Sequence, residues 1–284
     1  MQGVPSLLAT ADRIAALPGQ AATEAFVGLV DRLTDVFHLN LAELLLSDNP
    51  EPVHKARVAL RRLRACLVAF EPIVDGDLSE AMQDRSRTLF RLLGNIRDAD
   101  VMAIRFADTA RAATLTEEAQ LQRLKGRKYL KRKKADAFRA WALRRLDGKR
   151  WRATGKKAKA LRSAPVQVLA IVAMDRAWEA CLSNGPDLQV MSARAQHDLR
   201  KDLKAIRYLT EFFADLWPGS AQDRFLATLR RLQDDLGEMT DSALAASLGH
   251  QDAADTVAPQ SRAAEAWNHL QSEGPWWGTS DAEA

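Results

Sequence analysis

Apolar residues recur along this chain at three- and four-residue intervals, and no run of strictly alternating apolar and polar residues supports a strand. The pattern predicts helices over 20–47, 51–70, 77–112, 117–146, 164–182, 190–214, 219–248 and 257–271. Breaks are expected at Ser47-Asp48-Asn49-Pro50, Asp75-Gly76, Asp147-Gly148, Asn184-Gly185-Pro186 and Trp217-Pro218-Gly219, where turn-forming residues interrupt the period. An all-α fold follows.

The pattern repeats at an offset of 143 residues. His54 falls on His197, Arg57 on Arg200, Arg61 on Lys204 and Arg64 on Arg207. Leu60, Leu63 and Phe70 map to Leu203, Ile206 and Phe213. The register continues without a gap: Arg87 meets Arg230, Leu93 meets Leu236, Gly94 meets Gly237 and Asp98 meets Asp241. The chain therefore reads as an N-terminal extension, 1–19, followed by two copies of one helical unit, 20–162 and 163–284. The second copy is the shorter, with an acidic, tryptophan-bearing tail opposite the long basic helix of the first. Recurrence of Gly94 as Gly237 implies a steric need, since glycine inside a helix costs about 1 kcal/mol against alanine.

With about 100° per residue and His54 at zero, Arg57, Arg61 and Arg64 fall within an arc of about 80°. Leu60, Leu63, Leu67 and Phe70 occupy a separate arc and form the core face. His197, Arg200, Lys204 and Arg207 repeat the arrangement. Like charges at such spacing repel, so each copy carries a cationic ridge that a multivalent anion would relieve. Phosphate suits it, because arginine offers a planar fork of donors and a protonated histidine adds another. A solvated face neutralised by carboxylates, with Asp98 and Asp241 as partners, is the competing reading; two ridges in register favour the anion.

In the helix expected at 117–146, Leu121, Leu124, Ala135, Phe138, Ala142 and Leu146 share one face. Lys128 lies in the middle of that face and Lys131 at its edge, with Arg127 beside them. A lysine is rarely buried unpaired. Either this turn projects beyond the bundle, or it points into a cavity that holds an anion.

Net charge, +4 overall, is strongly segregated. Residues 123–159 hold 17 Lys or Arg against two acids, whereas residues 218–284 hold four against 11. Such a basic region implies a polyanionic partner or a solvated face. Two cysteines, Cys66 and Cys181, exclude a disulfide framework and a four-cysteine zinc site. The longest apolar stretch, Val168 to Met174, is too short to span a bilayer, and the N-terminus does not read as a secretory signal. A cytoplasmic protein with no membrane partner is expected.

The segments VHKARVALRRLR (53–64) and LLGNIRDADV (92–101), with HDLRKDLKAIRYLTEFF (197–213) and LGEMTDSAL (236–244), strongly resemble the CHAD family, the helical domain named for its repeated histidines. The resemblance covers about residues 20–271. It implies two antiparallel helical bundles related by a pseudo-twofold axis around a basic central cavity. It also implies binding of inorganic polyphosphate, and often association with polyphosphate granules. Carried over by position, the implied ligands are His54, Arg57, Arg61 and Arg64 with His197, Arg200, Lys204 and Arg207, flanked by Lys55, Arg62 and Lys201. Two departures weaken the second copy: lysines replace arginines there, and Thr240 stands where the first copy has Arg97.

Other functions fit less well. Catalysis on phosphoanhydrides needs a carboxylate-held metal or a placed nucleophile, and Asp98 with Asp100 is the only close acid pair in a motif. The chain therefore reads as a binding protein, not an enzyme, with no cofactor. A transition-metal site built on the histidines is disfavoured by the surrounding cations. Nucleic acid or another polyanion is the serious alternative, but aromatics are not interleaved with the ridge and no helix-turn-helix signature is present. The oligomeric state is left open.

Overall fold

A computed structural model describes residues 14–247 and 257–278, for 240–247 and 257 the backbone alone. Ten α-helices form among these residues: α1 Ala22–Leu46, α2 Glu51–Ala69, α3 Gly76–Arg105, α4 Ala112–Arg132, α5 Phe138–Leu146, α6 Lys156–Ser163, α7 Val166–Ser183, α8 Ala193–Phe212, α9 Ser220–Ser247 and α10 Val257–Glu273. There is no strand among them, only isolated bridges between Ala21 and Pro165 and between Val74 and Arg152. The all-α fold is as the periodicity requires.

The chain divides into two compact units. One holds residues 20–165; the other holds residues 15–19 and those from 166 onward. Residues 15–19 thus belong to the second unit, where the Ala16 amide donates to the Phe212 carbonyl at 2.7 Å. The repeat is visible in the elements themselves. Displaced by 143 residues, α2 and α3 fall on α8 and α9, and α4 falls on α10. The short 3-10 turn Glu71–Ile73 falls on Ala214–Leu216. Side chains at matching positions accept from the first turn of each ridge helix: Asn49, just before the Pro50 N-cap, from the Glu51 amide at 3.0 Å, and the N-cap Ser192 hydroxyl from the Ala195 amide at 3.2 Å. Such caps satisfy backbone donors that the first turn leaves unpaired.

In the first unit α1 packs on α2, α5 and α6, while α3 packs on α2 and α4. Phe26 meets Phe70 and Trp151 at centroid distances of 5.4 and 5.3 Å. In the second unit α8 packs on α7 and α9, and α10 on α9. Trp178 anchors that core, 5.8 Å from Trp267 and 6.5 Å from Trp277. The Trp276-Trp277 tail docks on its own unit, where the Trp277 indole donates to Asp175 at 2.8 Å.

Three predicted boundaries differ. The helix expected to reach residue 112 ends at Arg105. A helix forms at 156–163, between the predicted helices, and packs on α1 and the turn at 71–73. The helix expected over 117–146 breaks at Lys133–Lys134, where Lys134 takes φ 50°. Facing explains the break. The buried positions of α4 are Leu115, Ala119, Arg123, Gly126 and Leu130, whereas those of α5 are Phe138, Ala142 and Leu146. On one continuous helix these two sets would point to nearly opposite sides. Leu121 and Leu124, read as core, are 49% and 62% exposed.

Candidate functional site

On α2 the apolar arc Val53, Ala56, Leu60, Leu63 and Leu67 is fully buried. The adjoining ridge lies at the border of that core, so His54, Arg57, Arg61 and Arg64 are each half-buried. Lys55 is exposed and Arg62 half-buried, both on the other side of the ridge helix.

The ridge is shaped by α3. Arg57 Nη1 donates to the Phe90 carbonyl at 3.1 Å, and its guanidinium stands 4.1 Å above the Phe90 ring. The Arg61 guanidinium shares that ring at 5.7 Å. Gly94 makes the arrangement possible: a Cβ there would lie 2.6 Å from Arg57 Nη1. The recurrent glycine therefore serves the recurrent arginine. Its counterpart is looser, with a Cβ on Gly237 meeting Arg200 Nη2 at 3.6 Å.

In the first ridge Asp98 neutralises Arg57 only slightly. Asp98 is exposed and raises the Arg57 pKa only as a secondary influence. Burial, then Arg61 and Arg97, hold the Arg57 guanidinium below its ordinary value. Burial and the neighbouring Arg87 do the same to Arg64. The His54 pKa is lowered by burial first, then by Arg97, with Arg61 and Arg57 adding to the effect and Glu51 opposing it. The Nε atoms of Arg61, Arg64 and Arg207 are buried without a hydrogen-bond acceptor among the described residues. Asp241 lies where side chains are not described.

Arg97 on α3 joins this cluster from the facing helix, half-buried beside His54 and Arg57. It stands in the GNIRDAD stretch, where the sequence marks it only as a difference between the copies; the helix-to-helix approach that brings it to His54 has no signature along the chain.

The basic helix behaves differently from its reading. Arg127 is committed to the end of α1, donating to the carbonyls of Leu44 at 2.8 Å and Ser47 at 2.5 Å, with Asp48 at 2.9 Å. A cation there satisfies orphan carbonyls and meets the negative end of the helix dipole. Lys128 and Lys131 are exposed, on the outward side of α4. These three are not brought to the α2 ridge. Arg123 and Asp100, only 4% and 5% exposed, form a buried ion pair at 2.7 Å, and Arg123 also donates to the Asn49 carbonyl at 3.2 Å.

In the second unit His197 is exposed, while Arg200, Lys204 and Arg207 are half-buried. Lys201 pairs with Asp198 at 2.6 Å, and the Arg207 guanidinium stands 5.3 Å from the Tyr208 ring centre.

Together, the fold and these side chains define a helical repeat protein that carries one half-buried cationic ridge per copy. The CHAD domain profile matches residues 29–250. The chain belongs to the CHAD domain family. Its fold is similar to the crystal structure of the CHAD domain from the plant Ricinus communis, with a TM-score of 0.63 at 22% identity over 90% of this chain and 89% of that one. It is also similar to PptA from Streptomyces chartreusis, with a TM-score of 0.51 at 17% identity over 89% of this chain and 96% of that one. No curated protein sequence matches. No helix among the described residues is long and apolar enough to cross a membrane.

Proposed function

We propose that the protein binds inorganic polyphosphate through its histidine–arginine ridges and thereby associates with polyphosphate granules. The observation that carries this reading is the half-buried row His54, Arg57, Arg61 and Arg64, crowded by Arg97 from the facing helix and offset only weakly by the exposed Asp98. Cations held side by side on one helix face repel one another, and phosphate oxygens bring both the opposite charge and strong acceptors for the accessible guanidinium donors. Family membership supports the same ligand. Asp100, which forms the close acid pair of the motif with Asp98, is held by Arg123 at 2.7 Å, which supports a binding role over a metal shared by that pair.

Nucleic acid is the weaker reading, because Phe90, the aromatic at the ridge, lies against Arg57 instead of offering a face to a base. Competition between polyphosphate and DNA of equal charge at fixed salt tests the choice. Polyphosphate should displace the DNA, and should also bind more tightly than pyrophosphate, which meets only part of a ridge. Equal potency of polyphosphate and DNA would point to nonspecific counterion release.

Gly94→Ala separates binding from folding. The new methyl meets the mobile end of Arg57, so the guanidinium must leave its place above Phe90. Alanine in the helix interior gains up to about 1 kcal/mol of propensity. The melting temperature should hold or rise, while polyphosphate affinity falls roughly tenfold, or about 1.4 kcal/mol. Gly237→Ala, where the contact is ordinary, should leave affinity unchanged. Unaltered binding by Gly94→Ala would show that the position of Arg57 does not matter.

The pH dependence has a definite sign. In the empty protein the His54 pKa lies below its ordinary 6.5, and a phosphate within reach raises it again. Protons are therefore taken up on binding. The His54 contribution is fully present below the free-protein value and fades as pH rises through the bound value. His54→Gln should flatten the affinity profile on the acid side of neutrality, as titration calorimetry in buffers of differing ionisation heat would register. A profile identical to the wild type would make His54 a packing residue.

A further inference from the structure

We propose that the two ridges are unequal: the first unit alone forms the tight seat, its ligand is a linear oligophosphate long enough to span one ridge, and the second ridge adds only diffuse attraction. The inference rests on the polyphosphate reading and follows from aligning the copies residue by residue.

Four differences point the same way. Phe90, the shelf beneath Arg57 and Arg61, corresponds to Gln233, whose amide is spent on the backbone of the ridge helix, donating to the Leu203 carbonyl at 2.6 Å. A cation over an aromatic face is held in place at little desolvation cost; an amide committed elsewhere offers no such shelf. Lys55 corresponds to Asp198, which pairs with Lys201 at 2.6 Å and lies 3.9 Å from Arg194. The acid thus meets the second ridge helix beside its histidine. Arg97, which faces His54 and Arg57 from α3, corresponds to Thr240. Gly94 closes tightly on Arg57, whereas Gly237 leaves Arg200 more room.

Net charge follows the local geometry. Helix α2 carries five Lys or Arg against one acid, and α8 carries five against three. Helix α4 carries six against two, whereas its counterpart α10 carries one against two. A bound polyanion near the second unit therefore meets a field that is largely cancelled, and exposed charges there act through a screened potential that decays within roughly 10 Å at 0.1 M salt.

One ridge from His54 to Arg64 spans about 15 Å at 1.5 Å per residue. A short oligophosphate lies along it completely. A second seat of equal strength would instead raise effective concentration for any chain long enough to join both, and affinity would keep climbing with length.

Two triple variants of the full chain remove the same charge. Arg57→Ala, Arg61→Ala, Arg64→Ala should lower affinity for a medium-length polyphosphate about a thousandfold, and Arg200→Ala, Lys204→Ala, Arg207→Ala only about fivefold. Comparable losses in both would overturn the inequality. A length series on the wild-type protein, from tripolyphosphate through medium to long chains, gives an answer that does not depend on either variant folding. Affinity per binding register should level off once the chain spans one ridge; a further steep rise with long chains would overturn the single seat. Failure of the wild-type protein to bind any of these chains would instead remove the polyphosphate reading itself.

Discussion

With Arg57, Arg61 and Arg64 replaced together by alanine, polyphosphate affinity should fall by about three orders of magnitude while the helical signal is kept. Each charge-assisted hydrogen bond contributes about 1.5 kcal/mol or more, and three of them account for the loss. The helix itself should not suffer. Removing three half-buried cations relieves their mutual repulsion, and alanine is the best helix former. A melting temperature that holds or rises beside lost binding would mark these arginines as kept for the ligand. The control is Lys149→Ala, Lys156→Ala, Lys157→Ala, all exposed, where a two- to threefold general electrostatic loss is expected at roughly physiological salt. Equal damage from the control would move the site to the exposed cluster.

The largest effect on stability is expected at the Asp100–Arg123 pair. Asp100→Ala leaves the Arg123 guanidinium buried with its carboxylate gone, which costs about 3–5 kcal/mol. Urea unfolding should show the midpoint falling with little change in slope. Burial already pushes the Asp100 carboxyl above its ordinary value in spite of Arg123, so the pair sits in a place that penalises charge. The second copy has Ala243 and Ala266 at the corresponding positions. The double variant Asp100→Ala, Arg123→Ala should therefore lose less than Asp100→Ala alone. If the losses simply added, the two side chains would be acting independently.

These two sites differ in how far they could be read along the chain. The ridge was legible because it is local: His54, Arg57, Arg61 and Arg64 share a helix face through backbone geometry alone, and the same spacing returns at His197. The buried pair was not, because Asp100 and Arg123 sit on different helices, and Asp100 was weighed as a metal ligand. The long basic helix misled for a related reason. Leu121 and Leu124 fit the same face as Phe138 and Ala142, yet periodicity cannot say which of two possible faces a neighbour will cover. Helix α3 covers the other one, carrying Arg123 and Gly126 inward, where a Cβ on Gly126 would collide with Ile96. Lys128 and Lys131 are consequently outside, and Arg127 is at the end of α1.

Sequence alone determined the helical class, the 143-residue repeat, most helix ends and the two cationic ridges, since all of these rest on hydrogen bonds and side-chain directions within a few residues of one another. Tertiary structure decided the rest: the break at Lys134, the place of Arg97 beside His54, the notch that Gly94 leaves for Arg57, the capping duty of Arg127 and the docking of Trp277 on Trp178. Each depends on which helix packs against which and at what distance, and burial assigns a charged or bulky side chain its partner only once those surfaces have met.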